Sequence, residues 1–275
     1  MQVAASWSSF SPSKGAAFSI HLALSLLIFS SLVFMMVLYW FPGELFFIDG
    51  GWQGLKLVAM VDLVLGPALT LLLYKPGKPK LVLDMSLIAV IQIAALGYGF
   101  YTTYQQRTVA LVYAERGFNT VSAQDNLEAN AQLRQLDIDP QPIPAVTLLN
   151  VPLLLTPAPA PGKYAEHLNE IFNGYPGPQR RSDQYVSLDS NHDSMQKDAL
   201  DIATLNDMGA ADVVTAALKR KSLKLDDVEL YKFKARYADG VAVFDPDNKR
   251  ILDFVPIEKE DKPDESPVVA ENKES

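Results

Sequence analysis

The chain offers few residues able to do chemistry. Its only imidazoles are His21, His167 and His192, and it contains no cysteine. Disulfides, thiolate nucleophiles and Cys-ligated metals are therefore excluded. His192-Asp193 beside Asp189 is the nearest approach to a ligand set for a divalent metal, but a polar loop is the plainer reading. No G-x-S-x-G, H-E-x-x-H or phosphate-binding glycine loop occurs. Lys219-Arg220-Lys221 with Lys224 follows a helical pattern and reads as a solvated helix end rather than a phosphate site. The expectation is a protein without catalytic, metal or cofactor residues.

Asp62 is the most informative single residue, because it lies inside an apolar run. A carboxylate in hydrocarbon costs a few kcal/mol, about 3 on insertion scales, so it must face protein or water. Gly66-Pro67 follows it, and the proline can donate no N–H to the carbonyl of Leu63. Two roles are open to Asp62. It pins the packing of its own helices, through Ser30, Ser31 or Gln92 at similar depth, or it meets the transmembrane helix of a partner. The candidate partner-binding set is Asp62, Gly66, Pro67 and Gln92, with Trp40 and Trp52 at the interface.

The elements that position these residues follow from the distribution of charge. The whole chain of 275 residues has a net charge of −8, which argues against a nucleic-acid ligand. Residues 1–106 carry a net +1 and residues 107–275 a net −9, so two parts face different solvents. Residues 16–41 hold no charge and could reach about 39 Å as a helix, more than a bilayer core of roughly 30 Å requires. The run is too long for a signal peptide, and no small-x-small cleavage site follows it, so it reads as an uncleaved anchor. Apolar runs at about 52–74 and 85–104 give two more spans, punctuated by Pro42-Gly43 and Pro76-Gly77. Tyr39, Trp40, Phe41 and Trp52, and Tyr101 with Tyr104, form interfacial belts. Lys14, Lys75, Lys78 and Lys80 place the N-terminus and the 75–83 loop in the cytoplasm. Three spans then put everything after about residue 105 outside. The Ser-rich stretch before Lys14 reads as a short cytoplasmic leader.

Four regions result: a leader at 1–15, a bundle of three transmembrane helices at 16–106, an exported α+β domain at 107–257 and a disordered acidic tail at 258–275. Within the domain, 108–113 and 118–122 read as a hairpin and 126–136 as a weak helix. Seven prolines between 137 and 162 predict a semi-rigid loop or an edge strand. Helices are expected at 164–172, 194–208 and 212–219. The end of the domain, 229–237, 241–245 and 250–255, reads as an antiparallel three-stranded meander.

The run Trp40-Phe41-Pro42-Gly43-Glu44-Leu45-Phe46, with Gly50-Gly51-Trp52-Gln53-Gly54, Asp62-Leu63-Val64-Leu65-Gly66-Pro67 and Tyr74-Lys75-Pro76-Gly77-Lys78, resembles the TfpX/TfpZ family of type IV pilin accessory proteins. His21-Leu22 with Ser25, Tyr104-Gln105-Gln106-Arg107 and Arg180-Arg181 extend the resemblance over about 14–257, most closely over 14–113. It implies a bacterial inner-membrane protein, its C-terminal domain periplasmic, that assists a type IV major pilin without catalysis. Two rival classes remain. A membrane-anchored sensor needs a cytoplasmic output module, for which the 75–83 loop is too short. A membrane enzyme modifying pilin needs a charged cluster facing a lipid carrier, where the outer side offers Glu44 and Asp49.

Overall fold

The structure is a computed structural model and describes residues 13–257. The expected tail from Glu258, and the leader up to residue 12, lie outside the described residues. Three helices are long and apolar enough to cross a membrane: Lys14–Trp40, Gly51–Leu73 and Leu81–Gln106. The first consists of α1 (Lys14–Met35) and a π-helical last turn, Met36–Trp40, and Ser13 caps its start. A one-turn helix, α2 (Leu45–Ile48), sits in the loop that follows. The second long helix is α3 (Gly51–Ala59), a π-helical stretch at Met60–Leu65, and α4 (Gly66–Leu73). There the chain takes up Pro67 by widening, with the Gly66 N–H bonding five residues back to Val61. The third, α5 (Leu81–Gln106), begins four residues before the apolar run at Met85, taking in Leu81-Val82-Leu83 and Asp84, whose carboxylate pairs with Lys78 at 2.5 Å.

One residue, Arg107, separates α5 from the first strand, and its guanidinium lies 3.7 Å from the Tyr104 ring centre. The C-terminal domain then forms a mixed sheet. Its strands are β1 (Thr108–Ala114), β2 (Gly117–Ser122), β3 (Leu153–Leu155), β4 (Val186–Ser187), β5 (Glu229–Lys234), β6 (Asp239–Asp245) and β7 (Arg250–Pro256). Their order is β4-β3-β1-β2-β5-β6-β7, with β1–β3 and β2–β5 parallel and the other pairs antiparallel. The last three strands pair antiparallel in sequence order, but they form one end of a seven-stranded sheet.

The domain has five α-helices among the described residues, α6 (Ala123–Gln135), α7 (Tyr164–Phe172), α8 (Asp193–Gln196), α9 (Ile202–Asp207) and α10 (Ala211–Arg220), of which α7 buries no residue. Helix α6 starts three residues before the periodic pattern at Asn126, because Ser122 and Asp125 form a reciprocal capping box. The single helix expected over 194–208 is broken into α8 and α9. Leu200 donates its N–H to Leu230 O at 2.7 Å, and Asp201 restarts the helix by accepting from Thr204 N. The Pro-rich segment is largely irregular, and its strand β3 lies inside the two-residue edge strand β4 rather than at the edge.

Alternation along the strands builds two apolar faces. Ala110, Val112 and Ala114 of β1 pack with Val121, Leu154 and Tyr185, while Val241 and Val243 of β6 pack against Val214, Ala217 and Leu218 of α10. The opposite face holds Tyr113, Phe118, Tyr231 and Phe244, whose rings meet edge to face or stacked at 5.3–6.0 Å. These aromatics belong to one apolar cluster that continues through Phe41, Phe46 and Ile48 to Met36 and Trp40 of the first long helix. Bundle and domain therefore share a core.

Candidate functional site

Polar side chains of the three long helices converge at one level. His21 and Ser25 lie one turn apart on α1. Asp62, Gly66 and Thr70 are spaced by fours on the second helix, and Gln92 lies on the third. The Ser25 hydroxyl donates to Asp62 Oδ1 at 3.1 Å, and His21 Nδ1 shares a 2.6 Å hydrogen bond with Thr70 Oγ1. Asp62 is only 3% exposed. Its Oδ2 and Gln92 Nε2 are both buried and have no hydrogen-bond partner among the described residues. Gln92 lies directly over Gly66: a Cβ there would fall 1.7 Å from Gln92 Nε2 and 3.0 Å from His21 Nε2. Glycine is what lets the third helix bring its amide to this level.

The intrachain partner of Asp62 is thus Ser25, not Ser30 or Ser31. Ser31 donates back to Leu27 O in its own helix at 2.9 Å. Of the residues singled out from sequence, Asp62, Gly66, Pro67 and Gln92 are brought together and buried. Trp40 and Trp52 lie elsewhere. Trp40 is buried near the domain end of the bundle, edge-on to Phe100 at 5.1 Å and Tyr104 at 5.5 Å. Phe100 is eight residues, about 12 Å of helix, beyond Gln92. Trp52 is exposed, with Lys56 Nζ 5.6 Å from its ring centre. Sequence reasoning missed Thr70 and the pairing of His21. The signal available was the four-residue spacing of polar residues within apolar helices.

A second polar centre joins the bundle to the domain. Asp49, fully buried, accepts from Thr108 Oγ1 at 2.5 Å, Thr120 Oγ1 at 2.7 Å and the Arg236 backbone N–H at 3.0 Å. Arg236 Nη1 also donates to the carbonyls of Asp49 and Gln106, and the Tyr237 N–H to Ile48 O. Gly50 has φ +114°, and a Cβ there would meet the Tyr237 ring at 3.1 Å. Burial pushes the Asp49 carboxyl above its ordinary pKa, against the opposing effect of its hydrogen bonds and of Arg236. The sequence marked this residue only as a loop charge.

His192 is not in an open polar loop. Its ring is buried, stacked on Phe244 at 5.4 Å, with Nε2 2.6 Å from Glu229 and Nδ1 2.9 Å from Lys249 Nζ. An ammonium facing Nδ1 requires that nitrogen to accept, so Nε2 carries the proton that Glu229 receives. Asp189 and Asp193 stay at the surface, and no group of three metal-ligand side chains occurs among the described residues. Arg180 pairs with Asp125, and the buried Arg181 with Glu170 and Asp183, tying α6 and α7 to the segment before β4.

No family model and no solved structure matches the chain. Three proteins of Dichelobacter nodosus do. The fimbrial assembly protein of serogroups C1 and C2 is 34% identical over 110 residues, which is 39% of this chain and 84% of that protein. Those of serogroup E1 and serogroup I are 32% and 33% identical over 127 residues, 46% of the chain and 46% of each relative. The chain thus spans about half the length of these two. With three membrane-length helices bearing a mixed-sheet domain, and a match over most of the first relative, the chain belongs to the family of fimbrial assembly proteins.

Proposed function

We propose that this protein is a non-catalytic accessory of type IV pili, of the TfpX/TfpZ kind, that assists a major pilin from the inner membrane. Its three helices cross the bilayer with the N-terminus in the cytoplasm, and the acidic domain of 107–257 lies in the periplasm beside the pilin head. In this reading the intramembrane contact is made around Asp62, Gly66, Pro67 and Gln92, flanked by the interfacial Trp40 and Trp52. No cofactor is needed, because the work is to hold and present another chain.

One observation carries the proposal: a buried carboxylate that uses one of its oxygens. Asp62 Oδ1 accepts from Ser25 while Oδ2 is unpaired, as is the Gln92 amide nitrogen that lies over Gly66 one turn further on. In hydrocarbon an unmet polar atom is costly, so an entering helix with a donor at this depth gains a bond without displacing one. The π-helical stretch Met60–Leu65 lies at the same point, where backbone bonding departs from the regular ladder.

Asp62→Asn keeps the shape and removes the charge. In cells the variant should stay in the membrane at normal abundance while crosslinking to pilin from the neighbouring Val64 and surface piliation both fall. Unchanged crosslinking with both Asp62→Asn and Asp62→Leu would remove this face as the partner site. Orientation is tested separately: a reporter active only outside the cytoplasm should work after Lys259 and fail after Lys78, and the reverse pattern overturns the reading.

A further inference from the structure

The loop before β3 carries a small apolar turn whose position is unusual for a solvent-facing domain. Val146 and Val151 pack into the core shared with the bundle, and between them the backbones of Thr147 and Asn150 bond to each other at 3.1 Å in both directions. The tip of this closed turn is Leu148-Leu149, 55% and 58% exposed. Val151 is buried and Val146 partly so, whereas the four residues of the turn itself, Thr147 to Asn150, are exposed. The Leu149 N–H donates to Leu38 O at 3.0 Å, which fixes the tip beside the last turn of the first membrane-length helix. Leu149 also holds φ +56°, a left-handed conformation that asparagine or glycine adopts far more readily than leucine. A strained leucine at the tip of a turn calls for a contact that rewards its side chain. Finally, no charged residue occurs from Pro140 to Gly162, although the rest of the domain is densely charged.

We infer that the turn Thr147–Asn150 is a membrane wedge: Leu148 and Leu149 insert into the lipid interface alongside the end of the first helix. The occupant of this surface is lipid because the tip lies against the end of that helix through a backbone hydrogen bond, and because the flanking segment carries no charge that would have to pass below the headgroups. The wedge also supplies a donor to Leu38 O at the π-helical end of the first helix, where regular backbone bonding is interrupted. The inference rests on the reading that the three helices cross the bilayer, and it is independent of the pilin assignment.

The absence of cysteine makes the test direct, since one introduced thiol takes one spin label. Full-length Leu148→Cys, Leu27→Cys and Ile202→Cys chains are labelled in lipid nanodiscs, and collision with oxygen and with a water-soluble nickel chelate is measured. Leu27 lies exposed on the first helix and Ile202 exposed on the domain. The oxygen-to-nickel ratio at 148 should be several-fold above that at 202 and shifted toward that at 27. A ratio at 148 equal to that at 202 overturns the wedge. A label at 148 shielded from both reagents overturns it too, since protein rather than lipid then covers the turn. Failure of position 27 to read as lipid-exposed would instead refute the membrane reading beneath it. Because a label can disturb a turn, Ala145→Cys at the exposed approach to the tip is measured in parallel and should read shallower than 148 but deeper than 202. Water-like values at both 145 and 148 overturn the proposal.

Discussion

Asp49 and Asp62 are both buried, and only 13 residues apart, yet they live in opposite circumstances. Asp49 accepts from two threonine hydroxyls and a backbone N–H contributed by β1, β2 and the turn after β5. Asp62 accepts from one serine and leaves its second oxygen unmet. A carboxylate tied to three separated segments fixes their relative placement, whereas a half-met carboxylate favours whatever next supplies a donor. Asp49 is therefore a joint between bundle and domain, whereas Asp62 leaves a buried acceptor unmet inside the bundle.

The largest expected effect tests the joint. Asp49→Ala strands two hydroxyls, a backbone N–H and a nearby guanidinium, so it should cost about 3 kcal/mol or more. Thermal unfolding of the domain in detergent-solubilised chains, followed by circular dichroism, should show a lowered Tm, and proteolysis near Arg107 should become faster. If Asp49→Ala and the parent melt alike, the joint contributes nothing.

The next effect sharpens the contrast inside the bundle. Gly66→Ala places a methyl group where Gln92 Nε2 lies and should destabilise helix packing by roughly 1–3 kcal/mol. Gln92→Ala removes the obstruction, so the double variant should regain much of the loss, measured as membrane abundance and resistance to detergent unfolding. Absence of any rescue would mean that the third helix does not press on Gly66 through this amide.

The smallest effect is one of pH. Burial raises the Asp49 pKa above 3.8, so in the window from 3.8 up to the raised value the folded chain keeps a proton that the unfolded chain releases. Stability should fall as pH rises through that window and level off above it. Asp49→Asn, which does not titrate, should flatten this slope while preserving two acceptor contacts, and at neutral pH should change stability by about 1 kcal/mol or less. Chemical denaturation across the window checks it, and an unaltered slope in the Asn variant assigns the dependence to other groups.

Much of the architecture was legible in the residues. Three apolar runs became three long helices with ends shifted by a few residues, and Gly174 and Gly209 follow their helices with positive φ, as stop signals do. The hairpin around Glu115-Arg116 and the terminal strands followed from alternation and turn residues. The 194–208 break was not legible, because its cause is a hydrogen bond to β5, some thirty residues away. Nor was the choice of Ser25 over Ser30 and Ser31. The first helix is apolar almost all round, so its periodicity says little about which face turns inward.

By itself, then, the sequence determined what depends on local geometry and on apolar run length: the number of membrane-length helices, charge separation, turns and caps. Tertiary structure alone decided which residues meet. The parallel pairing of β2 with β5, the burial of Asp49 beneath Arg236 and the seating of Gln92 on Gly66 join segments far apart in the chain. Their energies come from close packing and from satisfying polar groups out of water. Neither is a property of any segment until the segments are together, and so the same aspartate that reads as a loop charge in one dimension becomes the joint of the molecule in three.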